Sequence, residues 1–184
     1  MRTRLSRLSV AAAVLIGGCT EASAQPPQRV PAVVAPEPAV ASAAGGACEL
    51  LDFVVIAQTL GARFDVAAAT RQDETHTCVV QNSGASRPDL VLTVTPTSAD
   101  AAVFDDTVTP DGGREVSGLG KAAYRVMIEP GRGHGPGVEI GWLSADNRLI
   151  TLRYTLPAKA PESRASAATA KLVTLAKRID VARR

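Results

Sequence analysis

Apolar and polar residues alternate in three consecutive segments of the C-terminal half of the chain. The apolar residues of these segments occupy every second position: Tyr124, Val126 and Ile128, then Val138, Ile140 and Trp142, then Ile150, Leu152, Tyr154 and Leu156. Because side chains two residues apart lie on the same side of a strand, this period predicts three β-strands. The intervening positions include Arg125, Glu129, Glu139 and Arg153, which are expected to face solvent. The pattern therefore predicts an antiparallel meander with one buried face.

Two stretches upstream also have the composition of strands. One covers residues 76–81. The other covers residues 90–95, where Leu90, Leu92 and Val94 alternate with Val91, Thr93 and Thr95. A Pro-Asp-Gly-Gly sequence at residues 110–113 then predicts a turn before the meander. The sheet is therefore expected to contain about five strands.

Helical patterns precede and follow these strands. Asp52 can cap a short helix that ends at Gly61, with Phe53, Ile56 and Leu60 facing inward. Thr97 and Asp100 have the spacing of a capping box, which predicts a second short helix over residues 98–105.

The last segment has a helical stripe, and Pro161 is suited to its first turn. The stripe consists of Ala168, Leu172, Leu175 and Ile179. Together these patterns predict an α+β fold: an antiparallel sheet of about five strands with the N- and C-terminal helices packed on one face.

The N-terminus has the features of an export signal. Three arginines precede a short apolar run, and residues 1–18 match a signal peptide whose apolar part is too short for a permanent membrane span. Residues 16–19 form a lipobox that ends in Cys19, which predicts lipidation of that cysteine. The alternative is ordinary cleavage after Ala24, because Ala22 and Ala24 form an A-x-A site.

Composition changes after the leader. Residues 19–47 comprise the lipidated cysteine and a segment of Pro, Ala, Ser and Gly, which predicts an extended linker. Residues 48–184 have the size of one domain. Three of the 20 basic residues lie in the leader, so the mature chain has 17 basic and 18 acidic residues, and its composition excludes a strongly basic nucleic-acid-binding protein.

Two cysteines remain beyond Cys19, and an exported protein meets an oxidising compartment. A disulfide between Cys48 and Cys78 is therefore expected, with two buried free thiols as the alternative. A metal site is not expected, because the chain has only two histidines and no close Cys/His cluster.

The order of several short motifs resembles a known group of proteins. These are "CELLDFVVIAQTLG", the strand "HTCVV", "VSGLGKAAY", a strand hairpin and an amphipathic C-terminal helix. Over residues 48–179 the chain is similar to the small uncharacterised lipoproteins of mycobacteria and related actinobacteria. The resemblance implies export, a lipid anchor and a disulfide, and it implies no activity.

The candidate catalytic residues have structural interpretations. The glycine-rich residues 130–137 lack a Walker lysine and predict a hairpin loop, in which His134 is expected to be exposed. His76 is expected at the rim of the core and Trp142 within it. Ser98 and Ser144 lack a paired base and are expected in caps or turns. Asp105 and Asp106 are expected to be solvated.

Three functions remain open after this reasoning. The favoured hypothesis is a non-enzymatic module, held at the membrane by an N-terminal lipid, that binds an envelope protein or ligand without a cofactor. The second is a carrier of lipid or another apolar ligand between sheet and helix. The third is a hydrolase, for which His76 and His134 are the only plausible bases.

Overall fold

The alternating segments form strands of one antiparallel sheet. The structure is a computed structural model that describes residues 40–182. Its strands are β1 Val66–Gln72, β2 Thr75–Asn82, β3 Ala85–Pro96, β4 Arg114–Glu115, β5 Ala122–Ile128, β6 Gly137–Leu143 and β7 Arg148–Thr155. They pair in the order β1-β2-β3-β7-β6-β5-β4. The predicted α+β class and antiparallel sheet are confirmed, but the described residues contain seven strands instead of about five.

The two additional strands lie at the two edges of the sheet. β1 consists largely of Ala, Thr and Arg and is mostly exposed, so it has no alternation of apolar and polar residues. β4 has only two residues, both exposed. Edge strands are buried on fewer sides, and the periodic pattern that predicts central strands is therefore weak in them.

One face of the sheet forms the core, and we call it the core face. Its central row runs through Cys78, Leu92, Leu152 and Ile140, which are paired across four strands and fully buried. The two flanking rows are Val80, Leu90, Tyr154 and Val138, and His76, Val94, Ile150 and Trp142. The register thus aligns the apolar sides of neighbouring strands.

Helix α3, Glu162–Ala182, covers the β5–β7 part of the core face. Its stripe residues Leu172, Leu175 and Ile179 are buried, as the 3.6-residue period predicts. Helix α1, Phe53–Leu60, packs against α3. Asp52 caps α1 by accepting hydrogen bonds from the backbone N–H groups of residues 54 and 55, and Gly61 ends it in the left-handed conformation.

The β1–β3 part of the core face is covered by two 3₁₀ turns, Ala41–Ala44 and Gly46–Leu50. Their residues Ala41 and Ala47 are buried in the main core. The sequence assigns both alanines to the linker, so the boundary of the packed domain moves from residue 48 towards the N-terminus. The sequence did not indicate these turns, because a 3₁₀ turn is too short to show a periodic pattern of apolar residues.

The predicted helix over residues 98–105 is only partly correct. A single α-turn, α2 Ala101–Val103, leads directly into a π-turn, Phe104–Val108. Asp100 caps this segment through the N–H of Val103, whereas Thr97 accepts a hydrogen bond from the N–H of Ala99 in a separate turn. The capping-box spacing therefore placed the N-cap three residues too early.

The orientation of β5 differs from the predicted one. Arg125 pairs with Ile140, and Met127 pairs with Val138, so these two side chains lie on the core face. Tyr124 pairs with Gly141 and lies on the opposite face, where it is buried against Phe104. The prediction that Arg125 faces solvent opposite the core is thus wrong. Strand β5 has apolar residues on both sides, and its alternation alone cannot choose between them.

Candidate ligand-binding surfaces

The predicted disulfide between Cys48 and Cys78 is confirmed. It joins the second 3₁₀ turn to β2, with a Cα–Cα distance of 4.9 Å, and both residues are fully buried. The bond therefore fixes the N-terminal segment to the core face of the sheet.

The predicted lipidation site precedes the residues that the structure describes. Cys19, the competing cleavage site after Ala24 and the signal peptide are outside the described residues. Between residues 40 and 182, no helix has the length and apolar character needed to cross a bilayer.

His76 lies at one end of the sheet, at the rim of the core as predicted. It lines two overlapping clefts of about 380 and 360 Å³. The shared lining also includes Val94, Asp146 and Arg148, of which the last two form an ion pair at 3.1 Å. This cleft therefore combines one imidazole with charges that already compensate each other.

Ser144, close to this cleft, is a turn residue as predicted. Its hydroxyl donates to Asp146 Oδ1 at 2.5 Å and accepts from the backbone N–H of Arg148 at 3.0 Å. It is also 2% exposed. The hydroxyl closes the β6–β7 turn, and its proton is directed to a carboxylate instead of an imidazole, which is the wrong arrangement for a serine nucleophile.

His134 occupies the predicted hairpin loop, but it is half-buried instead of exposed. Its Nδ1 lies 2.8 Å from the carbonyl oxygen of Gly135, and its ring packs against Gly131. Residue 131 leaves room for the ring only because it has no side chain. The loop thus holds the imidazole in a local contact.

The other polar candidates lie at the surface. Ser98, Asp105 and Asp106 are exposed. Within the part of the chain that the structure describes, no group of three or more His, Cys, Asp or Glu side chains could hold a metal ion. Trp142 is fully buried as predicted, and its Nε1 donates to the buried carboxylate of Asp180 at 3.2 Å. Sequence reasoning missed Asp180, because a single acidic residue on the buried side of α3 breaks the apolar stripe and resembles a surface charge.

The face opposite the core face carries two regular rows of small β-branched residues. One row is Thr70, Thr77, Thr93 and Thr151, which are paired in that order across β1, β2, β3 and β7. The parallel row contains Val79 and Val91 on β2 and β3. All except the exposed Thr70 are half-buried. We call these six residues the open face.

A polar network borders the open face. Tyr124 donates its hydroxyl to Glu139 Oε1 at 2.8 Å, and Arg153 binds Glu139 Oε2 through Nε at 2.9 Å and Nη2 at 2.6 Å. Burial is the main cause that raises the pKa of Tyr124 well above its usual range, and the hydrogen bond and charge of Glu139 add to it. The phenol therefore stays protonated and serves as a fixed donor.

A second polar pair, with a buried carboxylate, lies in the first half of β3. Asp89 is 6% exposed and forms an ion pair with Arg87 at 3.1 Å. Burial raises the pKa of Asp89, although the charge of Arg87 opposes the shift. Because Asp89 Oδ1 and Arg87 Nε have no hydrogen-bond partner, this pair is incompletely compensated.

A cleft of about 490 Å³ lies between α3 and the edge formed by β4 and β5. Arg114 and Arg125 line it and are directly opposite each other in the pairing of the two strands. Ser166 and Thr169 of α3, with Asp111 and Glu129, also line the cleft. We call this space the arginine cleft. Sequence reasoning missed it because the pattern placed Arg125 on the solvent side.

No protein-family model, curated protein or solved structure matches this chain.

Proposed function

We propose that this protein is an exported, lipid-anchored protein of the cell envelope whose domain is a non-enzymatic binding module. Three sequence features support this location at the membrane. They are the lipobox ending in Cys19, the linker after it and the motif order that resembles actinobacterial lipoproteins. The open face supports the binding role, and it is the single observation on which that role depends.

The open face has the physical properties of a recognition surface. Its threonines and valines present methyl groups beside hydroxyl groups on adjacent strands, so a partner can bury apolar area and form hydrogen bonds together. Val and Thr have one branched carbon and few rotamers. Ordering them in a complex therefore costs less side-chain entropy than ordering long side chains.

The local contacts of His134 and Ser144 also favour binding over turnover. The imidazole of His134 contacts its own loop, and the hydroxyl of Ser144 closes a turn. Each group is thus engaged in local structure, whereas general-base catalysis needs a base that reaches a nucleophile or substrate.

Photo-crosslinking in the native envelope tests this proposal. A photoreactive residue replaces Val91 on the open face, and in a matched variant it replaces Val54, which is 63% exposed on α1. We expect one discrete crosslinked partner from position 91 and none from position 54. Equal crosslinking from both positions, or no adduct from position 91, would contradict the assignment of the open face.

A further inference from the structure

We propose that the arginine cleft binds the phosphate group of a phosphorylated polyol. This inference goes beyond the binding role of the open face, because the cleft lies on the core-face side of the sheet and at its β4 edge.

Two positively charged side chains lie opposite each other on β4 and β5. Arg114 and Arg125 are a directly opposed cross-strand pair. Side chains in such a pair start about 5 Å apart, and like charges there are destabilising. Two cations on one side of the cleft favour an anion that binds both of them.

Neither of these two positive charges is neutralised by a carboxylate of the described residues. Among residues 40–182, neither guanidinium has a carboxylate oxygen within the 4.0 Å that defines an ion pair. By contrast, Arg87, Arg148 and Arg153 each form an ion pair with an acidic residue. The donors of Arg114 and Arg125 therefore remain free to bind two oxygen atoms of one anion, as guanidinium groups do with phosphate.

The other residues that line the cleft indicate which class of ligand it binds. Ser166 supplies an exposed hydroxyl beside the two arginines. Asp111 and Glu129 lie at the same cleft, and carboxylates accept hydrogen bonds from alcohols. A bare phosphate would use only the arginines, whereas an ester of phosphate with a polyol also places hydroxyl groups near these acceptors. A cleft of about 490 Å³ is large enough for such a molecule.

Isothermal titration of the processed protein with glycerol 3-phosphate tests the proposal. We expect saturable binding that weakens about tenfold or more in Arg114→Gln and in Arg125→Gln, because each removes charged hydrogen bonds. The matched control is Arg63→Gln, an exposed arginine outside the cleft, which should bind like the unchanged protein. Glu129→Ala should reduce the preference for glycerol 3-phosphate over inorganic phosphate, since it removes a hydroxyl acceptor and leaves both arginines in place.

Thermal unfolding provides a second measurement. In it, Arg114→Gln should stabilise the free protein although it weakens ligand binding. Without ligand, Arg114→Gln should raise the Tm by about 1 to 4 °C, because it removes the like-charge pair at an exposed edge. With glycerol 3-phosphate, the same variant should lose the ligand-induced rise in Tm. A residue that is merely structural would lower the Tm without ligand.

The phosphate ester can belong either to a lipid headgroup or to a soluble molecule, and lipid vesicles distinguish the two. Competition by phosphatidylglycerol vesicles, but not by phosphatidylcholine vesicles, would assign the ester to a lipid headgroup, and absence of competition would assign it to a soluble molecule. The proposal is overturned if the unchanged protein does not bind glycerol 3-phosphate, or if Arg114→Gln and Arg125→Gln bind it as tightly as Arg63→Gln. Neither result would affect crosslinking from the open face.

Discussion

At the scale of single residues, Gly141 determines where Tyr124 can lie. The two residues pair across β6 and β5, and the ring of Tyr124 occupies the space that a side chain at position 141 would need. The same ring lies 5.8 Å from that of Phe104, centroid to centroid, and its hydroxyl binds Glu139. A missing side chain thus allows an aromatic residue to cover the second face of the sheet.

We expect Gly141→Ala to lower the free energy of unfolding by about 1 to 3 kcal/mol, because the new methyl group overlaps a ring that is held on other sides. Urea denaturation measures the difference. Gly84→Ala is a suitable control, since its nearest contact would be Asn82 Oδ1 at 3.4 Å, and it should change stability by less than about 0.5 kcal/mol. Unchanged stability of Gly141→Ala would contradict this packing.

The same pair explains why the arginine cleft was not predictable from sequence. In β5, Tyr124, Val126 and Ile128 are a more apolar set than Ala123, Arg125 and Met127, and the alternation therefore favours the first set for the core. The partner strand decides otherwise, because Gly141 gives the tyrosine ring space and Ile140 pairs with Arg125. Register is a property of two strands, and a single strand does not contain it.

At the scale of elements, the disulfide connects a segment with little regular structure to a central part of the sheet. The 3₁₀ turn Gly46–Leu50 contacts β1, β2 and β3, and Cys48 joins it to β2. A five-residue turn has few internal hydrogen bonds to hold it. Its position therefore depends on the covalent bond and on burial of Ala47 and Leu51.

We expect the double variant Cys48→Ala, Cys78→Ala to be less stable by about 3 to 4 kcal/mol, the chain-entropy value for a sequence separation of 30 residues. Equilibrium unfolding with and without dithiothreitol measures this loss. The reductant should destabilise the unchanged protein and leave the double variant unaffected. A protein whose stability is insensitive to reduction would show that the bond does not hold this segment.

Elements with strong local signals were predictable, and those that depend on distant partners were not. Helix α1 begins after Asp52 and ends at Gly61, as predicted. An N-cap and a C-terminal glycine in the left-handed conformation are each encoded within a few residues. β1 pairs with β2 although its alanines show no alternation. Its strand conformation follows from the hydrogen bonds that β2 offers, which the sequence of β1 does not contain.

At the scale of the whole domain, the two faces of the sheet have different roles. The core face is packed against α3 and the 3₁₀ turns, with the arginine cleft at its β4 edge. The open face carries short β-branched side chains with the Tyr124–Glu139–Arg153 network beside it. The two surfaces proposed for binding therefore lie on opposite sides of one sheet.

We propose that Cys19 holds this domain at the membrane. The most direct test is the intact mass of the mature protein extracted from the producing cells. A lipid anchor predicts a chain that begins at Cys19 and carries the added mass of a diacylglyceryl group and its fatty acids. An unmodified chain that begins at Gln25 would contradict the lipid anchor and assign the protein to the secreted class.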